Sequence, residues 1–129
     1  MHMHGENIRS FTDLKTWQLG HAVVLAVYDL TKNFPKEEQF GLTNQLRRAA
    51  VSITSNVAEG FNRYSRKEKA QFYAVSLGSL AEVQNQLLVA RDVGYVTHQK
   101  FQEVAEKTVE LSKATNGLIK SCRSTVLTT

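Results

Sequence analysis

A chain of 129 residues holds one domain with a modest core and is too short for two. Hydrophobic content of 42% beside 22% charged residues is ordinary for a globular protein, and seven glycines with one proline leave little material for the turns of an all-β fold. The net charge of +4 is concentrated: from Gly41 to Lys69, six basic residues (Arg47, Arg48, Arg63, Arg66, Lys67, Lys69) face two acids (Glu59, Glu68), an excess of four, while the remaining ten basic and ten acidic residues cancel.

Residues 1–10 are expected to lie outside the fold, and Met1-His2-Met3-His4-Gly5 is read as partly tag-derived rather than as a metal site. The first helix is expected from Asp13 to about Asn33, capped by Ser10 or Thr12, with Asp13 in its positive first turn. Trp17, His21, Val24 and Tyr28 form one stripe; Leu19, Ala22/Val23, Ala26 and Leu30 form another. A helix apolar nearly all round needs cover on more than one side, which points to a subunit interface. His21, on the first stripe, is read as an interior or interface histidine rather than a ligand. The apolar run Ala22 to Tyr28 has seven residues, far short of the roughly 18 of a membrane span, and no signal peptide precedes it. Cys122 has no intrachain disulfide partner, which fits a reducing cytoplasm, the expected location.

Pro35 breaks the chain and pushes Phe34 out of helical geometry. Phe34 and Phe40 are expected to fold back over the end of the bundle. The second helix then spans about Leu42 to Asn62, with Leu42, Leu46, Ala49, Ile53, Val57 and Phe61 at steps of three or four. Its other face carries Arg47 and Arg48, then Ser52, Thr54, Ser55 and Asn56. Small hydroxyl and amide side chains disfavour helix interiors, so a run of them signals close packing or specific hydrogen bonds.

This stretch carries a resemblance. Leu42-Thr43, Gln45 through Ile53 and Ser55-Asn56-Val57-Ala58-Glu59-Gly60 resemble the signature of the bacterial four-helix-bundle proteins encoded in 23S rRNA intervening sequences. The likeness extends to Phe11, Asp13-Leu14-Lys15, Trp17-Gln18, Tyr28, Phe34-Pro35, Gly78-Ser79-Leu80, Glu82, Gln86-Leu87 and Gly94-Tyr95. It implies an all-α, four-helix bundle that assembles as a ring-like homopentamer, with no established enzymatic activity. A related branch is the accessory variability protein of diversity-generating retroelements, a basic pentamer that works with a reverse transcriptase and nucleic acid.

Ser65-Arg66-Lys67-Glu68 has the form of a capping box, opening a third helix that runs to about Val93, where Gly94 supplies a left-handed stop. Its stripe is Tyr73, Leu77, Leu80, Leu87 and Leu88, with Ala70, Ala81, Val83 and Ala90 beside it. Ser76, Gly78 and Ser79 make a small-residue face suited to close helix packing. Gly60 is either a helix C-terminal residue or a point of close approach. Thr97 caps the fourth helix, whose inner face is Phe101, Val104/Ala105, Thr108, Leu111, Leu118/Ile119 and Cys122; the spacing stops near Arg123, and 124–129 reads as a frayed tail. Four amphipathic helices with short connections make an antiparallel up-and-down bundle over residues 11–123.

Catalysis, cofactor and metal have no carrier in this pattern. No histidine follows a glutamate by three residues, as di-iron bundles require, and Cys122 sits toward a helix C-terminus, where the dipole opposes a thiolate. Glu59 and Arg63 make an i,i+4 pair. The basic cluster remains as a nucleic-acid-binding candidate. Arg63, Arg66, Lys67 and Lys69 surround the second turn of the bundle, Lys67 and Lys69 being expected exposed. Arg47 and Arg48 lie roughly 22–24 Å away along the second helix, on another surface or in structural contacts. The nearby aromatics are Phe61, Tyr64, Phe72 and Tyr73, few for single-strand stacking. The sequence thus reads as a non-catalytic homo-oligomer that binds RNA or DNA electrostatically. The alternative is an oligomeric scaffold for a protein partner such as a reverse transcriptase.

Overall fold

In the computed structural model, which describes residues 8–128, four helices form the bundle: α1 (Lys15–Thr31), α2 (Leu42–Phe61), α3 (Arg66–Asp92) and α4 (His98–Thr128). Met1 to Gly5 lie outside the described residues. Helix α1 packs against α2 and α4, and α3 packs against the same two, so α1 and α3 stand diagonally across the core. No described helix is long and apolar enough to cross a membrane.

The helix boundaries follow local chemistry. Ser10 caps a separate 3-10 turn, Phe11–Asp13: its hydroxyl accepts from Thr12 N while Asp13 Oδ2 accepts from Ser10 N. Helix α1 begins later, at Lys15, with Leu14 at its cap, so neither Ser10 nor Thr12 caps it. Gly41 offers α2 no side-chain cap, and Glu38 supplies one from upstream, its Oε1 accepting from Leu42 N at 3.0 Å. Ser65 caps α3 by accepting from Glu68 N at 3.1 Å, Thr97 does the same for Lys100 N at 3.1 Å, and Gly94 (φ 86°) makes the left-handed stop between them. Helix α4 continues to Thr128, past Arg123, where the apolar spacing ends.

Two apolar clusters fill the bundle. The larger joins Val23, Val27, Leu46, Ile53, Leu80, Leu87 and Leu111, and is closed by Phe34 against Tyr95. The smaller, at the opposite end, joins Val57, Ala70, Tyr73, Ile119 and Cys122 with Trp17. Phe40 does not cover the bundle end; it is 87% exposed, because the turn Lys36–Glu38 points it outward. Leu88 (41% exposed) and Ala81 also face outward on α3, as do His21, Leu25 and Tyr28 on α1. His21 is therefore not an interior residue; it stacks on Trp17 at 4.7 Å from the exposed side.

Small polar residues join α2 to α3: Ser52 and Ser79 hydroxyls meet at 2.8 Å, and Ser76 Oγ donates to Ile53 O at 2.9 Å. Asn56 and Thr54 bond within α2 instead, Asn56 Nδ2 donating to Ser52 O at 2.8 Å and Thr54 Oγ1 to Val51 O at 3.1 Å. Gly60 completes the contact with α3: a Cβ there would lie 2.7 Å from Tyr73 Cε1, so its role is close approach. Gly78 differs from its neighbours. At about 100° per residue it points away from Ser76 and Ser79, with nothing within 4 Å of a Cβ built on it, so the three do not form one packed face.

Candidate nucleic-acid interface

The antiparallel topology brings the end of α2, the start of α3 and the end of α4 together over the smaller cluster. The basic residues of the second turn stand on this end. They divide into those with a partner within the protein and those without one among the described residues.

Arg63 is tied. Its guanidinium sits 3.3 Å from Glu59 Oε2 and 4.5 Å over the Phe72 ring. Lys69 is half-buried rather than exposed: Nζ donates to Phe61 O and lies 5.3 Å from the Phe61 ring, so it closes the turn. The backbone explains this. α2 ends at Phe61 with carbonyls unpaired by the helix, and a lysine in the first turn of α3 reaches one of them. Arg66 and Lys67 are exposed and have neither hydrogen-bond nor ion-pair partner among the described residues.

Arg66 and Lys67 open a cleft of about 500 Å³ whose other lining residues are Ala70, Gln71, Ala74, Cys122 and Arg123. Three cations and no acid line it, and its floor is apolar. Arg123 enters from α4, and Lys120, one turn earlier on that helix, is also exposed. Sequence reasoning leaves out Arg123, Gln71 and Cys122 as lining residues because the pairing of α4's end with α3's start is a tertiary contact. The antiparallel order of the helices, together with Cys122 as an inner-face residue, is the available signal. Burial pushes the Cys122 thiol up from its ordinary pKa, a shift that nearby Lys69 and Arg66 only partly oppose. Tyr73, beneath it, is pushed up to about 12, chiefly by burial.

Arg47 and Arg48 belong to another surface. Arg47 Nε donates to Thr31 Oγ1 at 2.8 Å, and its guanidinium covers the Tyr28 ring at 4.7 Å, so it fastens α2 to α1. Arg48 is exposed beside it, on a cleft of about 540 Å³ with Tyr28, Asn44, Val51, Ser52 and Ser55. The two clefts share no residue. A third lies along α4 and mixes Glu103, Glu106 and Glu110 with Lys107 and Lys113, which gives it no single sign.

Residues 12–117 match the family model described as 23S rRNA-intervening sequence protein. Among solved structures, a protein with unknown function from the S23 ribosomal protein family of Bacteroides thetaiotaomicron is similar, with a TM-score of 0.76 at 19% identity, covering 81% of this chain and 98% of that one. At that identity the likeness shows the fold alone. No curated protein matches the sequence.

Proposed function

The chain belongs to the 23S rRNA-intervening sequence protein family, and from that premise we propose that it is a non-catalytic, homo-oligomeric accessory protein that binds RNA or DNA electrostatically at the α2–α3 end of the bundle. The observation that carries this reading is the acid-free cleft bounded by Arg66, Lys67 and Arg123. Arg66 and Lys67 occupy the first turn of α3, where the helix dipole is itself positive and cations are disfavoured by about 0.3–1 kcal/mol each. Charges held against the local field sum with it, and an anionic polymer is the partner that such a field attracts. Phosphate contacts of this kind set position and register, not sequence. The binding residues are therefore Arg66 and Lys67, with Arg63 and Lys69 shaping the turn that presents them.

The homopentamer implied by the family resemblance would repeat the patch around a ring. Support within the chain comes from α1 and α2, which expose Leu25 (58%), Tyr28 (39%) and Val51 (40%). The same exposure, with Phe40 at the other end, favours the second reading, a scaffold whose partner is a protein. Purification under low salt separates the two. Nucleic acid that co-purifies, raises ultraviolet absorbance and disappears on nuclease treatment is expected; a clean protein that captures no oligonucleotide would leave the scaffold.

A further inference from the structure

Four aromatic residues lie near the basic turn, and the fold uses three of them. Phe72 carries Arg63 on its face, Phe61 carries Lys69, and Tyr73 is 2% exposed in the core. Tyr64 is left. It is fully exposed (102%), with no hydrogen bond or ring contact to any described residue, between Arg63 and the pair Arg66 and Lys67. Its side chain packs against no other part of the fold.

We infer that Tyr64 is a stacking platform and that the polymer bound at this end is single-stranded. The inference rests on the nucleic-acid reading above and narrows it. In a duplex each base face is covered by its neighbours, so an aromatic ring on a convex turn can meet only phosphate and sugar. An unpaired base offers its face, and base–aromatic stacking is tolerant of sequence. Arg66 and Lys67, just beyond Tyr64 in the chain, then take phosphates next to the stacked nucleotide. Arg66, two residues along, opens the acid-free cleft, whose apolar floor of Ala70, Ala74 and Cys122 and whose Gln71 amide suit the next base better than a closed helix. In the sequence the four aromatics make a thin set; the structure reduces them to one free ring, two residues before the unpartnered Arg66 and Lys67.

The test is fluorescence anisotropy with a single-stranded RNA, the DNA strand of the same sequence, and a duplex of equal phosphate count. The parent chain is expected to prefer both single strands over the duplex and to bind the RNA and DNA strands about equally, since neither a base face nor a phosphate involves the 2′-hydroxyl. Tyr64→Ala should weaken single-strand binding roughly 5- to 150-fold, the range expected for removal of one stack. Duplex affinity and the salt slope should stay unchanged. Tyr64→Phe should bind like the parent. A Tyr64→Ala chain that binds single strands like the parent, or a parent that prefers the duplex, overturns this inference and leaves the electrostatic reading standing. A parent that binds none of the three probes overturns both. Circular dichroism and thermal unfolding should not distinguish Tyr64→Ala from the parent, so weakened binding cannot be ascribed to unfolding.

Discussion

Lys69 Nζ lies 2.5 Å from the carbonyl oxygen of Phe61, joining the first turn of α3 to the last residue of α2. The contact turns one member of the basic cluster from a binding residue into a structural one. Hydrogen bonds with a charged partner contribute more than neutral ones, though partial exposure lowers the figure. Lys69→Gln should therefore destabilise the bundle by about 1 kcal/mol. Lys67→Gln, in the same turn but without a partner, should leave stability within about 0.5 kcal/mol. Urea unfolding of the two variants checks the difference, and equal destabilisation would contradict the assignment.

Gly60 and Gly78 should respond to alanine in opposite directions. At Gly60 the new methyl would fall 2.7 Å from Tyr73 Cε1 and 3.0 Å from Phe72 Cβ, against a ring that is itself buried. Overpacking of this kind costs about 1–3 kcal/mol. At Gly78 there is open space, and the helix propensity of alanine should stabilise α3 by up to about 1 kcal/mol. Thermal unfolding of both variants decides it.

At the far end of the bundle, Glu38 ties three elements together. Its Oε1 accepts from Leu42 N, and its Oε2 accepts from Tyr95 OH at 2.8 Å. The backbone bond to Leu42 first, and the Tyr95 bond second, hold the carboxyl below its ordinary pKa. A lowered folded-state pKa means that the stabilisation is complete above the unfolded value, about 4.3, and is lost as pH falls through the folded one. Unfolding midpoints measured down through this range should fall less steeply for Glu38→Gln than for the parent. Parallel curves would show that the clasp contributes nothing.

The apolar side chains on the outside of α1 bear on assembly. Native mass spectrometry is expected to find a species about five times 14.5 kDa. Leu25→Asp, changing a side chain 58% exposed in the single chain, should shift the population to smaller species while helicity is retained. A monodisperse 14.5 kDa parent at micromolar concentration would contradict the oligomer outright.

The bundle was legible because its information is local. Spacing located the α2 stripe and most of the α4 stripe, Ser65 and Thr97 announced two helix starts, and Gly94 announced a stop. What failed was direction. Leu88 and His21 lie on helical spacing with apolar or aromatic neighbours, yet a four-helix packing leaves each helix one outer face, and these residues fall there; Phe40 is turned outward by the connection before α2. The basic cluster was legible as a cluster but not as a division of labour. Whether Arg47 reaches Thr31, or Lys69 reaches Phe61, depends on how the helices lie side by side. Arg123 joins the cleft only because α4 returns to the start of α3.

The most direct test replaces the two unpartnered cations of the first turn of α3. The Arg66→Gln, Lys67→Gln chain should fold and assemble like the parent, and should be no less stable, since both charges oppose the helix dipole. Binding to a single-stranded oligonucleotide, measured across a salt series, should be weaker at every concentration. The slope of log affinity against log salt should also shrink by about 0.7 for each phosphate that is no longer neutralised. Parent and double variant sharing one affinity and one slope, with both clearly bound, would contradict the claim that this end of the bundle holds nucleic acid.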